Sequence, residues 1–460
     1  MPTLKTLTLG CKVNQYETEY IRQGLSRLGY REPAPGQAAD LCVVNTCSVT
    51  AEADRKSRKL IRQLARENPG TKIIVMGCYA TRQPERVAAL AGVTDVVTDK
   101  RRLPDLLARF GLGEIPSGIS SFGRRSRAYV KIQDGCRMEC TYCIIPQTRP
   151  VLQSRPIDEV LDEIRRLVEH GYREIVLTGI HLGHYGVDLA AAGQRVAEVH
   201  EGVAGAKRSA APEGGRGTVP FSRRENRDSP QPNLADLLRH VVRLDGTFRV
   251  RISSIEAAEL PDELLAVIAE HPDRVCPHLH VSMQSGSDAV LRRMRRRQSS
   301  SEFLQQCERI KQRLDRPALT TDVMVGFPGE TEADFKATCR AVEAVGFSKI
   351  HVFRFSARPG TAAAEMADTV PGDVQRQRAA ELAQIEKCLR SAYFESLLGR
   401  KLEVLIESAA TDRPATLLGT SARYVPVELP GPTHQVGHLV RAVARTVVDG
   451  RVRAEAIATR

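Results

Sequence analysis

Along the first hundred residues, short β-branched runs alternate with stretches whose apolar positions recur every three or four residues. Leu4–Leu9 is followed by Glu17–Leu28, Leu41–Val44 by Ala51–Glu67, and Lys72–Met76 by Pro84–Leu90. Repeated strand-then-helix patterning predicts an α/β fold with a parallel sheet, because helical crossovers are what join parallel strands. The rhythm resumes after Gly111–Gly123, a Gly- and Pro-containing stretch that reads as a linker. There the predicted strands are Ala128–Ile132, Glu174–Leu177, Phe248–Ile252, His278–Val281, Ala318–Val325 and Lys349–Phe353. Helical segments near Ile157–His170, Leu234–Leu244, Pro261–Glu270, Ser301–Arg313 and Thr331–Val345 separate them. Six strand–helix units favour a partial (β/α) barrel over a simple doubly wound sheet. A long helical stretch, Val374–Leu398, then gives way to short alternating runs such as Leu402–Ile406 and Val440–Val447, which predict a compact β-module.

One segment breaks the pattern. Ala190–Pro232 is rich in Ala, Gly, Ser, Pro and Arg without a sustained apolar period, and reads as a disordered insertion. It follows the second barrel strand, at the end where barrel active sites sit, so substrate contact and an inert surface loop both stand open.

Composition narrows the function classes. With 460 residues, 42% hydrophobic and 27% charged, the chain can bury several cores, which excludes a disordered chain or a small disulfide-stapled scaffold. A formal charge of +12 favours a polyanionic partner. Trp is absent and aromatics are 5%, so charge rather than base stacking must carry such binding. Eleven cysteines is an odd count. The N-terminal residues show no secretory pattern and no apolar run approaches 18 residues, which predicts a cytoplasmic protein without membrane spans whose thiols bind metal or do chemistry.

The cysteines fall into two sets of different grammar. Cys136-Arg-Met-Glu-Cys140-Thr-Tyr-Cys143 places three thiols in one polar loop. Thiolates at that spacing can wrap three corners of a cubic iron–sulfur cluster and leave the fourth iron open. A structural zinc site would want a fourth local ligand, and none is near. The second set is dispersed: Cys11, Cys47 and Cys78 each follow a predicted parallel strand. Strand ends share one edge of such a sheet, so the three could hold a second cluster, or they could be scattered buried cysteines. Cys42, Cys276, Cys307, Cys339 and Cys388 read as packing residues.

At these residues the chain resembles the radical S-adenosylmethionine methylthiotransferases, from Leu7 to the C-terminus except for the insertion. Cys-x3-Cys-x2-Cys is similar to the radical S-adenosylmethionine signature, and Cys11, Cys47 and Cys78 match the family's auxiliary-cluster ligands. Leu9-Gly-Cys-Lys-Val-Asn-Gln-Tyr-Glu and Ile132-Gln-Asp-Gly-Cys most resemble the branch acting on N6-threonylcarbamoyladenosine at position 37 of tRNA. Leu177-Thr-Gly-Ile-His, Arg251-Ile-Ser-Ser-Ile-Glu256, Gln284-Ser-Gly-Ser-Asp and Gly326-Phe-Pro-Gly-Glu-Thr-Glu support the likeness. Two stretches depart from it: Arg149-Pro150 and Gln153 stand where the family has Arg-Gly and Arg, and Val281-Ser-Met-Gln replaces Leu-Pro-Leu-Gln.

The resemblance implies a methylthiotransferase domain over 1–112, a radical S-adenosylmethionine barrel over 122–395 carrying the insertion at 190–232, and a TRAM RNA-binding β-barrel over 397–460. It implies two 4Fe-4S clusters. The one on Cys136, Cys140 and Cys143 would cleave S-adenosylmethionine reductively to a 5′-deoxyadenosyl radical. The one on Cys11, Cys47 and Cys78 would hold or donate the inserted sulfur, and a second S-adenosylmethionine would supply the methyl group. Tyr142, Thr178, Gly179, Ser253, Glu256 and Gln284, at or near the C-terminal ends of barrel strands, are the candidate S-adenosylmethionine contacts, with strand caps as the plainer reading. The runs Arg292–Arg297 and Arg124–Arg127, together with Lys401, Arg423 and Arg441, are candidate tRNA contacts. Expected partners are tRNA, a one-electron reductase such as a flavodoxin or ferredoxin, and iron–sulfur assembly machinery, acting on a monomer. Isopentenyladenosine, a ribosomal-protein aspartate, and a non-catalytic iron–sulfur RNA-binding protein remain as alternatives.

Overall fold

The computed structural model describes residues 1–457 apart from 115, 124, 190–231 and 414. The insertion expected at 190–232, except for Pro232, and Arg124 therefore lie outside the described residues.

Strands β1 (Leu4–Thr8), β2 (Leu41–Thr46), β3 (Lys72–Gly77) and β4 (Val93–Val97) form a four-stranded sheet in that order, parallel throughout. β2 is buried on both faces, which suits its continuous Leu-Cys-Val-Val run for a central parallel strand. The register sets Thr8 against Asn45 and Thr46 against Gly77, so the first three strands end on one edge. Helix Lys12–Arg27 begins immediately after Cys11 and buries Val13, Tyr16, Ile21 and Leu25.

The central unit is an open arc of parallel strands: β5 (Arg127–Lys131), β8 (Glu174–Thr178) and β9 (Arg249–Ile252) pair in one sheet, and β10 (Ser254–Ile255), β11 (His278–Val281), β12 (Ala318–Val325) and β13 (Lys349–Arg354) in the next. The short β6 (Gln133–Asp134) and β7 (Gln153–Ser154) form an antiparallel pair beside the arc. The strand predicted over Phe248–Ile252 is found as β9, and just past it the chain changes partner at Ser253. Its N–H bonds to the Leu177 carbonyl at 3.0 Å, while Ser254 and Ile255 pair with β11.

Helix Gly372–Glu395 leads to the closed C-terminal barrel of β14 (Lys401–Ala409), β15 (Thr416–Ser421), β16 (Pro426–Pro430), β17 (Leu439–Val448) and β18 (Arg451–Ala456). Its interior is small and branched, with Val404, Ile406, Val427, Ala442 and Val452 fully enclosed. This barrel docks against the central arc through Arg249 and Arg251. Both pair with the buried Glu174, and their remaining donors reach the Glu403, Thr420, Ser421 and Ala422 carbonyls at 2.8–3.2 Å. Two guanidiniums and a carboxylate survive burial only when their hydrogen-bonding groups are answered in this way.

The stretch predicted as a linker, Gly111–Gly123, is packed rather than free. Leu112, Ile119 and Phe122 enter the main core, and the Ile119 N–H donates to Glu163 Oε1 at 3.0 Å.

Candidate functional site

The dispersed cysteines lie at one sheet edge, where two glycines let the chain turn. Gly10 and Gly77 have φ of +102° and +96°. A Cβ on Gly10 would lie 3.0 Å from Cys47 Sγ, and one on Gly77 only 2.3 Å from the Thr46 carbonyl oxygen. Cys11, Cys47 and Cys78 thus leave β1, β2 and β3 at one edge, with Cys78 close enough to add to the charging cost of Cys11 and Cys47. Burial, with smaller contributions from the neighbouring thiols, pushes Cys47 up to about 11.

The clustered set sits in the loop after β6. Gly135, at φ +80°, is held against the Pro150–Leu152 segment: an added Cβ would stand 1.9 Å from the Val151 carbonyl oxygen. The Cys136 N–H donates to the Arg149 carbonyl at 3.1 Å, so Pro150 leaves this contact intact. The Cys143 N–H bonds the Cys140 carbonyl at 3.0 Å, closing a tight turn, and burial pushes the Cys143 thiol up to about 12. Both sets are soft donors, the donor chemistry of iron–sulfur ligation; iron held there would take them as thiolates, displacing the thiol protons.

Arg149 stands between the two sets. Its guanidinium is 1% exposed, donates to Glu17, Asp134 and Asn14 at 2.8–2.9 Å, and lies near enough to Cys11 to favour its charged form. Lys131 joins the same carboxylates at 3.1–3.2 Å. Burial would raise Glu17, but Arg149 and Lys131 outweigh it and hold its carboxyl below the usual range. Gln133 completes the frame: its Oε1 accepts from Ile180 and His181 N–H groups, and its Nε2 donates to the Asp134 and Gly135 carbonyls. Sequence reasoning missed Arg149, Glu17 and Gln133 as site residues.

It also missed a histidine pair. His181 Nδ1 lies 3.4 Å from Cys136 Sγ and Nε2 is 2.6 Å from Glu259. Burial opposes its charge, but the bonds to Cys136 and Glu259 outweigh that and raise it to about 9. His184 stacks on it at 3.9 Å, and burial with that neighbouring charge lowers His184 to about 4. The one available signal is two histidines spaced by three just past a strand end.

The candidate S-adenosylmethionine contacts are spread around the rim. Thr178 ends β8 and is buried, its carbonyl accepting from Ile132 at 2.9 Å. Gly179 is hemmed in by Leu182 and Gln133. Ser253 marks the strand break, and Gln284, at φ +67°, bridges to β12. Tyr142 packs against the apolar cluster of Val290, Met294 and Phe327. Glu256 is engaged by Arg296, whose Nη1 donates to it at 2.9 Å and whose Nη2 also reaches the Ser282 carbonyl.

Several expected tRNA contacts are therefore taken up inside the protein. Arg296 is 9% exposed, turned inward after Arg295 adopts φ +53°. Arg127 pairs with Glu174 and Glu407. Arg423 donates to the Asp315 and Arg316 carbonyls at 2.9 and 3.1 Å. Arg292, Arg297, Lys401 and Arg441 remain exposed. Among the cysteines read as packing, Cys42, Cys276, Cys307 and Cys339 are buried, but Cys388 is exposed on its helix.

Comparison with known proteins agrees with this architecture. Residues 3–99 match the group described as "Uncharacterized protein family UPF0004", and residues 130–342 match the Radical SAM superfamily. The chain is 36% identical to the threonylcarbamoyladenosine tRNA methylthiotransferase MtaB of Bacillus subtilis (strain 168), covering 96% of this chain and 93% of that one. It is 35% identical to a tRNA-2-methylthio-N(6)-dimethylallyladenosine synthase of Mycobacterium sp. (strain JLS), over 92% and 80%. The fold is shared with the radical S-adenosylmethionine methyltransferase TsrM of Kitasatospora setae at TM-score 0.52 and 12% identity, over 79% and 75% of the two chains. Fold and matches together define a radical S-adenosylmethionine enzyme, whose cofactors are S-adenosylmethionine and 4Fe-4S clusters. Within that class, the chain belongs to the tRNA methylthiotransferase family.

Proposed function

We propose that this chain methylthiolates carbon 2 of N6-threonylcarbamoyladenosine at position 37 of tRNA. Cys136, Cys140 and Cys143 hold the S-adenosylmethionine-binding cluster, and Cys11, Cys47 and Cys78 hold the auxiliary one. Bound there, the clusters supply the one-electron and sulfur chemistry that side chains lack. The observation that carries the reading is Arg149, whose carbonyl fixes the loop of one cysteine set while its guanidinium faces the other. Around it, Gln133 orients the loops after β5 and β8, and Ser253, Gln284, Thr178, Gly179, Tyr142 and Glu256 are the proposed S-adenosylmethionine contacts. No described helix is long and apolar enough to cross a membrane. The enzyme works as a cytoplasmic monomer on tRNA, with electrons from a flavodoxin- or ferredoxin-type donor and clusters from the assembly machinery.

Mass spectrometry of tRNA nucleosides tests this. A strain lacking the gene loses the 2-methylthio mass from threonylcarbamoyladenosine, and complementation with Cys140→Ala or Cys47→Ala fails to restore it. An unchanged nucleoside spectrum, or full restoration by either variant, overturns the reading.

A further inference from the structure

The lumen of the central arc carries polar groups that the sulfur chemistry leaves unused. A cavity of about 270 Å³ is lined by Lys12, Arg251, His280, Asp322, His351 and Tyr424, among others. Lys12 opens the helix after Cys11, and Tyr424 comes from the C-terminal barrel, so all three parts of the chain meet there. The two arginines nearest the floor are engaged: Arg251 with Glu174 and the Ala422 carbonyl, Arg127 with Glu174 and Glu407. Lys12 shares this lining and has no carboxylate partner among the described residues. His278, which also lines the cavity, is 6% exposed and its Nδ1 has no hydrogen-bond partner. His280 Nε2 stands 3.3 Å from Asp322 Oδ2 without hydrogen-bond geometry. Buried polar atoms left without partners are rare in folded proteins and call for an occupant.

The lining specifies that occupant. An unpaired ammonium asks for one anionic oxygen, and imidazoles beside a carboxylate ask for hydroxyl and amide groups. A dimethylallyl substituent offers neither, and burying it here would desolvate Lys12 and the imidazoles without replacing their water. A threonylcarbamoyl substituent offers a carboxylate, a hydroxyl and a carbamoyl group on a body of amino-acid size.

We propose that this lumen is the subsite for the threonylcarbamoyl substituent: Lys12 Nζ takes the threonine carboxylate, and His280, Asp322 and His351 take its hydroxyl and carbamoyl groups. The assignment rests on the proposed function and adds the residues that choose the substrate. Percentage identity alone does not make that choice, since relatives named for either nucleoside stand at 36% and 35%.

The test uses the full-length reconstituted enzyme and anticodon stem-loops carrying threonylcarbamoyladenosine or its threonine carboxamide. The phosphates are identical in the two RNAs, so their contribution cancels. Wild-type protein is expected to bind the acid about tenfold more tightly than the amide, the scale of one hydrogen bond to a charged group. Lys12→Gln is expected to bind both as the wild type binds the amide. Equal affinity of the wild type for acid and amide, or undiminished preference in Lys12→Gln, overturns the assignment; the first comparison needs no variant to fold. Methylthiolation of the acid RNA by wild type without an acid preference sinks the subsite alone. Methylthiolation of isopentenyladenosine RNA in its place sinks the proposed function.

Discussion

Arg149 Nη1 donates to Glu17 Oε1 at 2.8 Å across the boundary between the N-terminal sheet and the central arc, with both side chains 1% exposed. Removing one partner of such a pair leaves the other charge buried and unanswered, at a cost of about 3–5 kcal/mol. Arg149→Met is therefore expected to lower the urea midpoint sharply, while Arg149→Met/Glu17→Met recovers part of the loss. Denaturant titration of the three proteins checks this; additive losses would show that the two residues do not act as a pair.

Glu174 predicts a pH dependence. Burial raises its pKa, but Arg251, Arg249 and Arg127 outweigh burial and hold it well below the ordinary carboxyl value. A depressed carboxyl contributes stability that is present above about pH 4.3 and lost as pH falls through the folded value. Glu174→Gln should be less stable at neutral pH, and the gap should narrow as pH falls below about 4. Stability measured against pH for both proteins decides it; a gap constant across the acid range would contradict the account.

Gly135 tests the loop that carries Cys136. A methyl group there meets the Val151 carbonyl oxygen at 1.9 Å from a φ of +80° that L-residues resist. Gly135→Ala should destabilise by more than about 1 kcal/mol and lower the iron bound per chain, with the loss resembling that of Cys140→Ala. Iron analysis and thermal melting provide the readout, and full iron content with unaltered melting would count against it.

The basic residues separate by how they are engaged. Lys401→Gln with Arg441→Gln should reduce the slope of log affinity against log salt for tRNA by about 1–2, one per lost phosphate contact. Arg423→Gln should leave that slope alone and lower the melting temperature, because its donors bind the Asp315 and Arg316 carbonyls. Filter binding over a salt series separates the two outcomes.

Strands were legible where their own residues carry the pattern. Ala318–Val325 is found with the predicted bounds, and the central strand Leu41–Thr46 extends the predicted run by two residues. The break at Ser253 was not legible, because it depends on which neighbour each half pairs with. The candidate cysteines stood out because their types and spacings are rare. Arg149 and Glu17 lie 132 residues apart and leave no local trace. The arginine run misled for a related reason: five arginines within six positions look alike in sequence, and Arg296 points inward to Glu256 just after the left-handed turn at Arg295.

The C-terminal barrel does more than sit beside the arc. Tyr424 packs at a tilt against His278 with ring centroids 4.8 Å apart and lies over the Arg251 guanidinium at 5.0 Å, so it lines one side of the central cavity. The module expected to grip the RNA is thus also a wall of the chamber. Exchanging it between relatives should transplant part of the choice of nucleoside along with the RNA grip, and a chain truncated before Leu398 should have a chamber lacking that wall.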